Sequence, residues 1–164
     1  MSKAKEIKTN AMRLLDRQKI NYDVIQYECD EFSDGMTVAK KTGIPVEQSF
    51  KTLVTEGKSK NYYVFVIPVA MELNLKAAAR AVGEKSVEML HVRDIFKVTG
   101  YIRGGCSPLG MKKAYKTVID CRVEGFETVA VSGGRIGSTI LISPEDLLKA
   151  SGAVTGDVAV EVAE

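Results

Sequence analysis

The sequence has little of what metal centres, disulfide frameworks and membrane spans require. Its 164 residues include no Trp, one His (His91) and three Cys. Cys29, Cys106 and Cys121 are too few and too scattered for a disulfide framework or a CxxC metal site. No apolar run reaches the roughly 18 residues of a membrane-spanning helix, and no signal peptide follows the first lysines. We therefore expect a cytoplasmic protein without metal, cofactor or membrane anchor.

The charge of the chain is nearly balanced. It carries 23 Lys and Arg against 21 Asp and Glu, a net charge of +2, far from the basic excess of a protein that coats a nucleic-acid backbone. Any contact with a polynucleotide must therefore be local. The length predicts one domain, residues 1–164, with a core of its own, and there are no repeats or linkers.

Hydrophobic periodicity predicts helices alternating with strands. The predicted helices are residues 5–19, 37–43, 74–83, 92–100 and 143–152, and the predicted strands are residues 22–27, 50–55, 62–68, 116–123, 128–132 and 139–143. Val92, Ile95 and Phe96 in the fourth helix repeat the apolar spacing of the packed helix before it. The sheet is expected to form the centre of an α/β fold.

One loop concentrates backbone freedom, small side chains and positive charge. In residues 99–113, TGYIRGGCSPLGMKK, Gly104 and Gly105 permit positive φ angles, and Pro108 fixes the exit. Cys106 and Ser107 between them are too short and polar to serve as core. Such a loop can direct several amide N–H groups at one oxygen, whereas a plain hairpin turn would use its glycines and bind nothing.

This loop ends in two lysines at positions 112 and 113, and a third follows at position 116. Amide donors flanked by cations suit an anion, or a carbonyl oxygen that becomes one during a reaction. A second glycine-rich turn, SGGRIG at residues 132–137, joins two predicted strands and could equally be an ordinary hairpin.

A single lysine stands out within a strand. Lys51 shares a face with Leu53, so one cation is in line with an apolar residue. Either it belongs to a site formed with the two glycine loops, or it is an edge lysine that protects the sheet from pairing with another chain.

Three segments together, SFKTLV around Lys51, GYIRGGCSPLGMKK around Gly105 and VSGGRIG around Ser132, resemble the YbaK/EbsC family of aminoacyl-tRNA deacylases. This family is similar to the editing domain inserted in bacterial prolyl-tRNA synthetases, and Gly104 to Pro108 fits its GxxxP loop. The resemblance covers nearly the whole chain. It implies a single α/β domain around a mixed, twisted, barrel-like sheet with helices packed outside.

The resemblance also implies a substrate and a set of roles. The YbaK branch deacylates Cys-tRNA(Pro), so the expected partners are the 3′ acceptor end of an aminoacyl-tRNA and prolyl-tRNA synthetase. Lys51 would bind the terminal phosphate or ribose, and amides at Gly104 and Gly105 would face the scissile carbonyl. The resemblance further implies substrate-binding positions at Tyr27, Arg103, Cys106, Ser107, Pro108, Ser132, Gly133, Gly134 and Arg135.

The implied mechanism uses the substrate's own cysteine thiol, which attacks its carbonyl and leaves as a thiolactone. Three alternatives stay open. Cys106 could be the nucleophile, although no base is near it in sequence. The chain could be a non-catalytic module that binds aminoacyl-tRNA or nucleotides. It could also be a deacylase of different amino-acid specificity, because Arg103 and Cys106 stand where many relatives have apolar residues and Ile136 and Thr139 also depart from the common pattern.

Overall fold

The computed structural model describes residues 8–28 and 34–162, in which helices and strands alternate. The α-helices are α1 (Asn10–Arg17), α2 (Gly35–Thr42), α3 (Leu75–Val82), α4 (Ile95–Thr99) and α5 (Pro144–Ser151). The strands are β1 (Asp23–Gln26), β2 (Phe50–Gly57), β3 (Tyr62–Pro68), β4 (Met71–Leu73), β5 (Val87–Met89), β6 (Lys116–Asp120), β7 (Val129–Ser132), β8 (Ser138–Ile142), β9 (Val154–Gly156) and β10 (Ala159–Glu161). The predicted α/β class is confirmed.

Capping residues set most helix ends. The side chains of Asp34, Asn74 and Ser143 each accept a backbone N–H at the start of α2, α3 and α5, and each of these helices ends at a glycine in the left-handed region. Thr9 caps α1 by accepting from Met12 N. Helix α1 thus begins at Asn10, and residues 5–7 of the predicted first helix lie outside the described residues.

The strands form three sheets. The largest has the order β5-β2-β3-β6-β9 and is mixed, because β5, β2 and β3 are antiparallel neighbours whereas β3, β6 and β9 pair in parallel. An antiparallel sheet has the order β1-β8-β7, and β4 pairs with β10. A single parallel bridge, Ser49 to Ala130, connects the chain entering β2 to β7.

The core lies on both faces of the largest sheet. One cluster of buried side chains brings α1 and α5 against β3, β6, β7 and β8, with Leu15, Ile119 and Leu147 fully buried. A second cluster packs α3 against Phe65 and Val118. Burial of this apolar surface is the main force that holds in place the helices and strands from which the two glycine loops extend.

Three features differ from the sequence-based expectation. Strand β6 ends at Asp120 rather than residue 123, because a 3-10 turn, Cys121–Gly125, follows it and Asp120 accepts a hydrogen bond from Arg122 N. Strands β4, β5, β9 and β10 were not predicted, since three residues are too few to show alternation. In α4 and the 3-10 turn before it, Phe96 and Val92 are 60% and 52% exposed rather than packed.

Candidate functional site

The backbones of the two glycine loops are in close contact. A Cβ atom added to Gly105 would lie 2.8 Å from Arg135 Cα and 3.0 Å from Ile136 N. Any side chain at Gly105 would therefore force the two backbones apart. The structure thus brings two segments predicted separately, residues 104–108 and 132–137, into one site.

The two glycines of the first loop have different reasons to be glycine. Gly104 has φ of 86°, a conformation that other residues rarely adopt. Gly105 does not have a positive φ, contrary to the expectation from the sequence, and is required instead by the close approach to Arg135. A hydrogen bond of 2.9 Å from Gly105 N to Ile102 O closes the turn at residues 102–105, so the Gly105 amide, contrary to what the resemblance implies, already has an acceptor and does not face a substrate carbonyl.

Backbone donors remain available in this loop. Among the residues that the structure describes, none accepts a hydrogen bond from the amide N–H of Gly104, Cys106 or Ser107. Pro108 has no N–H to donate. Amides held in a fixed loop without an internal acceptor are the elements of an oxyanion site, because they can stabilise negative charge without reorganising.

Side chains within residues 99–113 hold the backbone of the first loop in place. Ser107 is fully buried, contrary to the expectation that it is too polar for the core, and its hydroxyl accepts from Leu109 N at 3.2 Å. Tyr101 donates to Leu109 O at 2.6 Å, and Pro108 is buried. A substrate contact by Ser107 would therefore come from its backbone rather than from its side chain.

Cys106 carries a thiol that resists ionisation. Burial raises its pKa to about 11, and a hydrogen bond with Thr99 opposes this only in part. A thiolate is the nucleophilic form of cysteine, and at neutral pH only about one thiol in ten thousand with such a pKa is ionised. The environment of Cys106 thus disfavours a role as nucleophile.

In the second loop, the amides of Gly133 and Gly134 already have hydrogen-bond acceptors. Gly133 N donates to Ser138 O, and Gly134 N donates to the hydroxyl of Ser132. Both amides are thereby occupied within the turn. Arg135 is half-buried and lies against Gly105, whereas Arg103 at the start of the first loop is exposed.

Helix α1 supports both loops, a role that the sequence did not reveal. Thr9 donates to Gly133 O at 2.5 Å, and a Cβ on Gly134 would lie 2.9 Å from Thr9 Cβ. A Cβ on Gly110, beyond the GxxxP loop, would lie 2.7 Å from Asn10 O. The start of α1 therefore contacts both loops, although more than 90 residues separate it from them.

Lys51 lies on β2, which is between β3 and β5 in the largest sheet. The pairing with β5, however, covers only Thr55 to Gly57 and does not reach Lys51, which pairs with Ile67 of β3, so the alternative of an edge lysine stays open. Lys51 is half-buried, and burial lowers its pKa from the usual value, opposed by Glu72 and Asp34. The bridge from Ser49 to Ala130 is parallel, so the two segments run in the same direction from it. Lys51 and Ser132 each lie two residues beyond the bridge.

Tyr27 completes the set of predicted positions. It is half-buried just after β1, and its N–H donates to Gly137 O at 2.9 Å. A Cβ on Gly137 would lie 3.0 Å from Tyr27 O, so the tyrosine backbone is fixed against the end of the second glycine loop.

Other chemically active groups lie elsewhere. Asp120, Cys121 and Asp157 could offer metal ligands within 4.8 Å of one another. Asp120, however, already accepts from Val158 N and Ala159 N as well as from Arg122, so it has a structural role in joining β6 to the chain before β10. His91 is exposed.

Two cavities in the described part of the structure also lie apart from the loops. One of about 540 Å³ is lined by residues of α2 and the turn after it, from Met36 to Val46. A second of about 790 Å³ has Glu47, Met71, Arg122 and Phe126 among its lining residues. Neither is lined by a predicted site residue. Within the described ranges, none of the helices is both long and apolar enough to cross a membrane.

The fold is shared with solved structures. The solved structure named "putative trans-editing enzyme for prolyl tRNA synthetase" matches with a TM-score of 0.82 over 92% of this chain and 95% of that chain, at 23% identity. At that identity the likeness shows the fold alone. The model of the family described as "Aminoacyl-tRNA editing domain" matches residues 33–150, and the chain belongs to this family.

Two relatives indicate the context of the family. The "Putative Cys-tRNA(Pro)/Cys-tRNA(Cys) deacylase EbsC" of Enterococcus faecalis is 43% identical over 142 residues, covering 86% of this chain and 87% of that protein. A proline–tRNA ligase of Fervidobacterium nodosum is 30% identical over 96 residues, which are 58% of this chain and 16% of the ligase. The resemblance inferred from Lys51 and the two loops is thereby confirmed.

Proposed function

We propose that this chain is a trans-editing deacylase that releases cysteine from mischarged Cys-tRNA(Pro). Membership of the aminoacyl-tRNA editing family supports the ester as the bond that is broken. The name of the 43% identical relative supports cysteine as the amino acid. The relationship to a proline–tRNA ligase supports tRNA(Pro) as the carrier and prolyl-tRNA synthetase as a partner.

The observation that carries the proposal is the combination of free amides and a protonated thiol in one loop. The N–H groups of Cys106 and Ser107 have no acceptor among the described residues, and the pKa of the Cys106 thiol is raised to about 11. The first feature suits a developing oxyanion. The second disfavours attack by Cys106, and the proposal therefore assigns the attack to the thiol of the substrate.

The substrate thiol is held beside its target by the covalent structure of the cysteinyl ester. Its sulfur attacks the ester carbonyl, and the resulting oxyanion is stabilised by the amides of Gly104, Cys106 and Ser107. The C–O bond to the ribose then breaks, the thiol proton passes to the ribose oxygen, and cysteine leaves as a thiolactone. Correct placement of reacting groups contributes up to about 7–11 kcal/mol, and each oxyanion donor about 2.7–4 kcal/mol.

In this proposal Lys51 binds the 3′-terminal phosphate or ribose and so orients the ester. Its half-buried position supports the role, because a partly desolvated ammonium gains more from an anion than a fully hydrated one does. Tyr27, Arg103 and Arg135 would line the substrate beside the two loops.

A deacylation assay with matched esters tests the proposal. Purified protein is incubated with Cys-tRNA(Pro), Ser-tRNA(Pro) and Ala-tRNA(Pro), and the remaining esters are measured over time. We expect rapid loss of the cysteinyl ester and slow loss of the other two, with the thiolactone trapped by hydroxylamine. Equal rates on all three would indicate attack by water and a different specificity, and retention of Cys-tRNA(Pro) without turnover would indicate a binding module.

The choice of tRNA needs its own comparison, because the name of the relative includes both tRNA(Pro) and tRNA(Cys). Cys-tRNA(Cys) is therefore assayed alone and with prolyl-tRNA synthetase added. If the synthetase supplies the selection, we expect it to increase the ratio of the rates on tRNA(Pro) and tRNA(Cys). An unchanged ratio would remove the synthetase from the proposal.

A further inference from the structure

Helix α4 presents an aromatic ring to solvent. Phe96 is 60% exposed, the largest exposed fraction among the bulky apolar side chains of the described chain. A partner that covered this ring would remove its apolar surface from water. The chemistry around the ring indicates what that partner is.

One cation lies over the ring, and others are exposed at neighbouring positions in the chain. Lys112 Nζ lies over it at 6.0 Å from the centroid and donates to Lys97 O at 3.1 Å. Lys97 is exposed on the same helix, and Arg93 is exposed on the 3-10 turn before it. Lys113 is exposed next to Lys112 in the chain. The acidic group paired with this set is Asp94, 3.6 Å from Lys97 Nζ. An exposed aromatic ring with a fixed cation on one face is suited to a base and its phosphate.

The helix that carries the ring is connected to the loop of the proposed site. Phe96 precedes Thr99 by three residues, which is less than one helical turn. Thr99 O accepts from Lys112 N at 2.9 Å, and Thr99 is near enough to Cys106 to lower the pKa of its thiol, although burial raises that pKa more strongly. Thr99 therefore connects the helix that carries the ring to the loop that carries the amides.

We propose that Phe96 stacks an unpaired base of the single-stranded 3′ end, while Lys112 and Lys97 contact the adjoining phosphate. The proposal rests on the function proposed above, since it places the terminal ribose at Lys51 and the preceding nucleotides over α4. A protein partner is less suited to this surface, because an apolar interface would have to desolvate Lys112 over the ring. Stacking does not depend on base identity, so the surface adds affinity for the strand end without reading its sequence.

Binding of RNA alone tests the surface without any reaction. The probe is a fluorescein-labelled RNA oligonucleotide of six residues ending in CCA, and its Kd is measured by anisotropy for the full chain. We expect Phe96→Ala to weaken binding about 10-fold and Phe96→Trp to preserve it, since base stacking on an aromatic ring is of this magnitude. Leu75→Ala is the matched control, because Leu75 is an exposed apolar residue on α3.

Kinetics separate stacking from an effect on the site. With Cys-tRNA(Pro), Phe96→Ala should raise KM about 10-fold with little change in kcat. With 3′-O-cysteinyl-adenosine, which has no preceding nucleotides, the variant and the wild type should react alike. An equal loss on both substrates would overturn the proposal and assign Phe96 a role in shaping the loop.

Two further outcomes are decisive. If Phe96→Ala binds the oligonucleotide as tightly as the wild type but fails to bind prolyl-tRNA synthetase, the surface is a protein interface and the proposal is wrong. If wild-type protein hydrolyses none of the esters, the proposed function fails, yet a loss of oligonucleotide binding in Phe96→Ala and not in Leu75→Ala would still support the stacking surface.

Discussion

Gly105 and Arg135 are in backbone contact across two loops, with 2.8 Å between the position of a Cβ on Gly105 and Arg135 Cα. We expect Gly105→Ala to separate the loops, to lower the free energy of unfolding by about 1–3 kcal/mol and to reduce deacylation strongly. Gly125→Ala is the matched control, because nothing lies within 4 Å of a Cβ there and its φ is not positive. Thermal unfolding and initial rates should separate the two variants, and identical behaviour would contradict the contact.

The support from α1 predicts an effect on activity from a residue outside the loops. Thr9→Val removes the donor to Gly133 O and the cap of α1, so we expect a loss of about 1–3 kcal/mol in stability together with a reduced kcat. Thr9→Ser keeps both hydrogen bonds and should behave as wild type. Ser143→Ala removes only the cap of α5 and should lower Tm with kcat unchanged. A Thr9→Val variant with normal kcat would show that the contact is merely structural.

Cys106 should be dispensable for catalysis. Because its pKa is raised to about 11, we expect Cys106→Ala to retain most activity and iodoacetamide to label Cys106 only slowly below pH 10, after the exposed Cys121. The folded state keeps the proton that the unfolded state loses near pH 9, so stability should fall between pH 9 and 11 relative to Cys106→Ala. Labelling in a Cys29→Ser background followed by mass spectrometry measures this order, and an acyl-enzyme on Cys106 would contradict it.

We expect replacement of Lys51 to lower activity without lowering stability. Burial lowers its pKa, which means that the folded state binds its proton less tightly than the unfolded state does. The resulting cost is present below the folded pKa and disappears as pH rises through 10.5. We expect Lys51→Met to be at least as stable as wild type at neutral pH but about 10–100-fold less active, the loss of a charged hydrogen bond. Lys58→Met, in the exposed β2–β3 turn, is the control, and an active Lys51→Met would remove Lys51 from the site.

Local signals in the sequence predicted much of the fold. Asp34, Asn74 and Ser143 are capping residues whose partners lie three positions away, so the helix starts can be read without tertiary information. Strands β2 and β3 were predicted from their own residues, and because they are close in sequence they pair as an antiparallel hairpin. Motifs with a fixed local form, such as the GxxxP segment, likewise indicated the positions proposed for the site.

Relationships between distant segments could not be predicted in this way. Nothing in the sequence around Thr9 indicates Gly133, and the glycine requirement at Gly105 depends on Arg135 rather than on its own φ. The apolar spacing of α4 suggested a buried face, but the helix has only five residues and leaves Phe96 in solvent. The pKa of Cys106 depends on burial that only the assembled loop provides.

The pairing of the strands has a consequence for how fast the chain folds. Asp23 pairs with Leu141, Tyr63 with Lys116 and Val118 with Val154, so most of the two larger sheets joins segments that are far apart in sequence. The entropy of closing such long loops is lost before the contacts compensate for it. We therefore expect refolding on a scale of milliseconds to seconds, with the β2–β3 hairpin protected first in pulsed hydrogen exchange and β1 and β9 last.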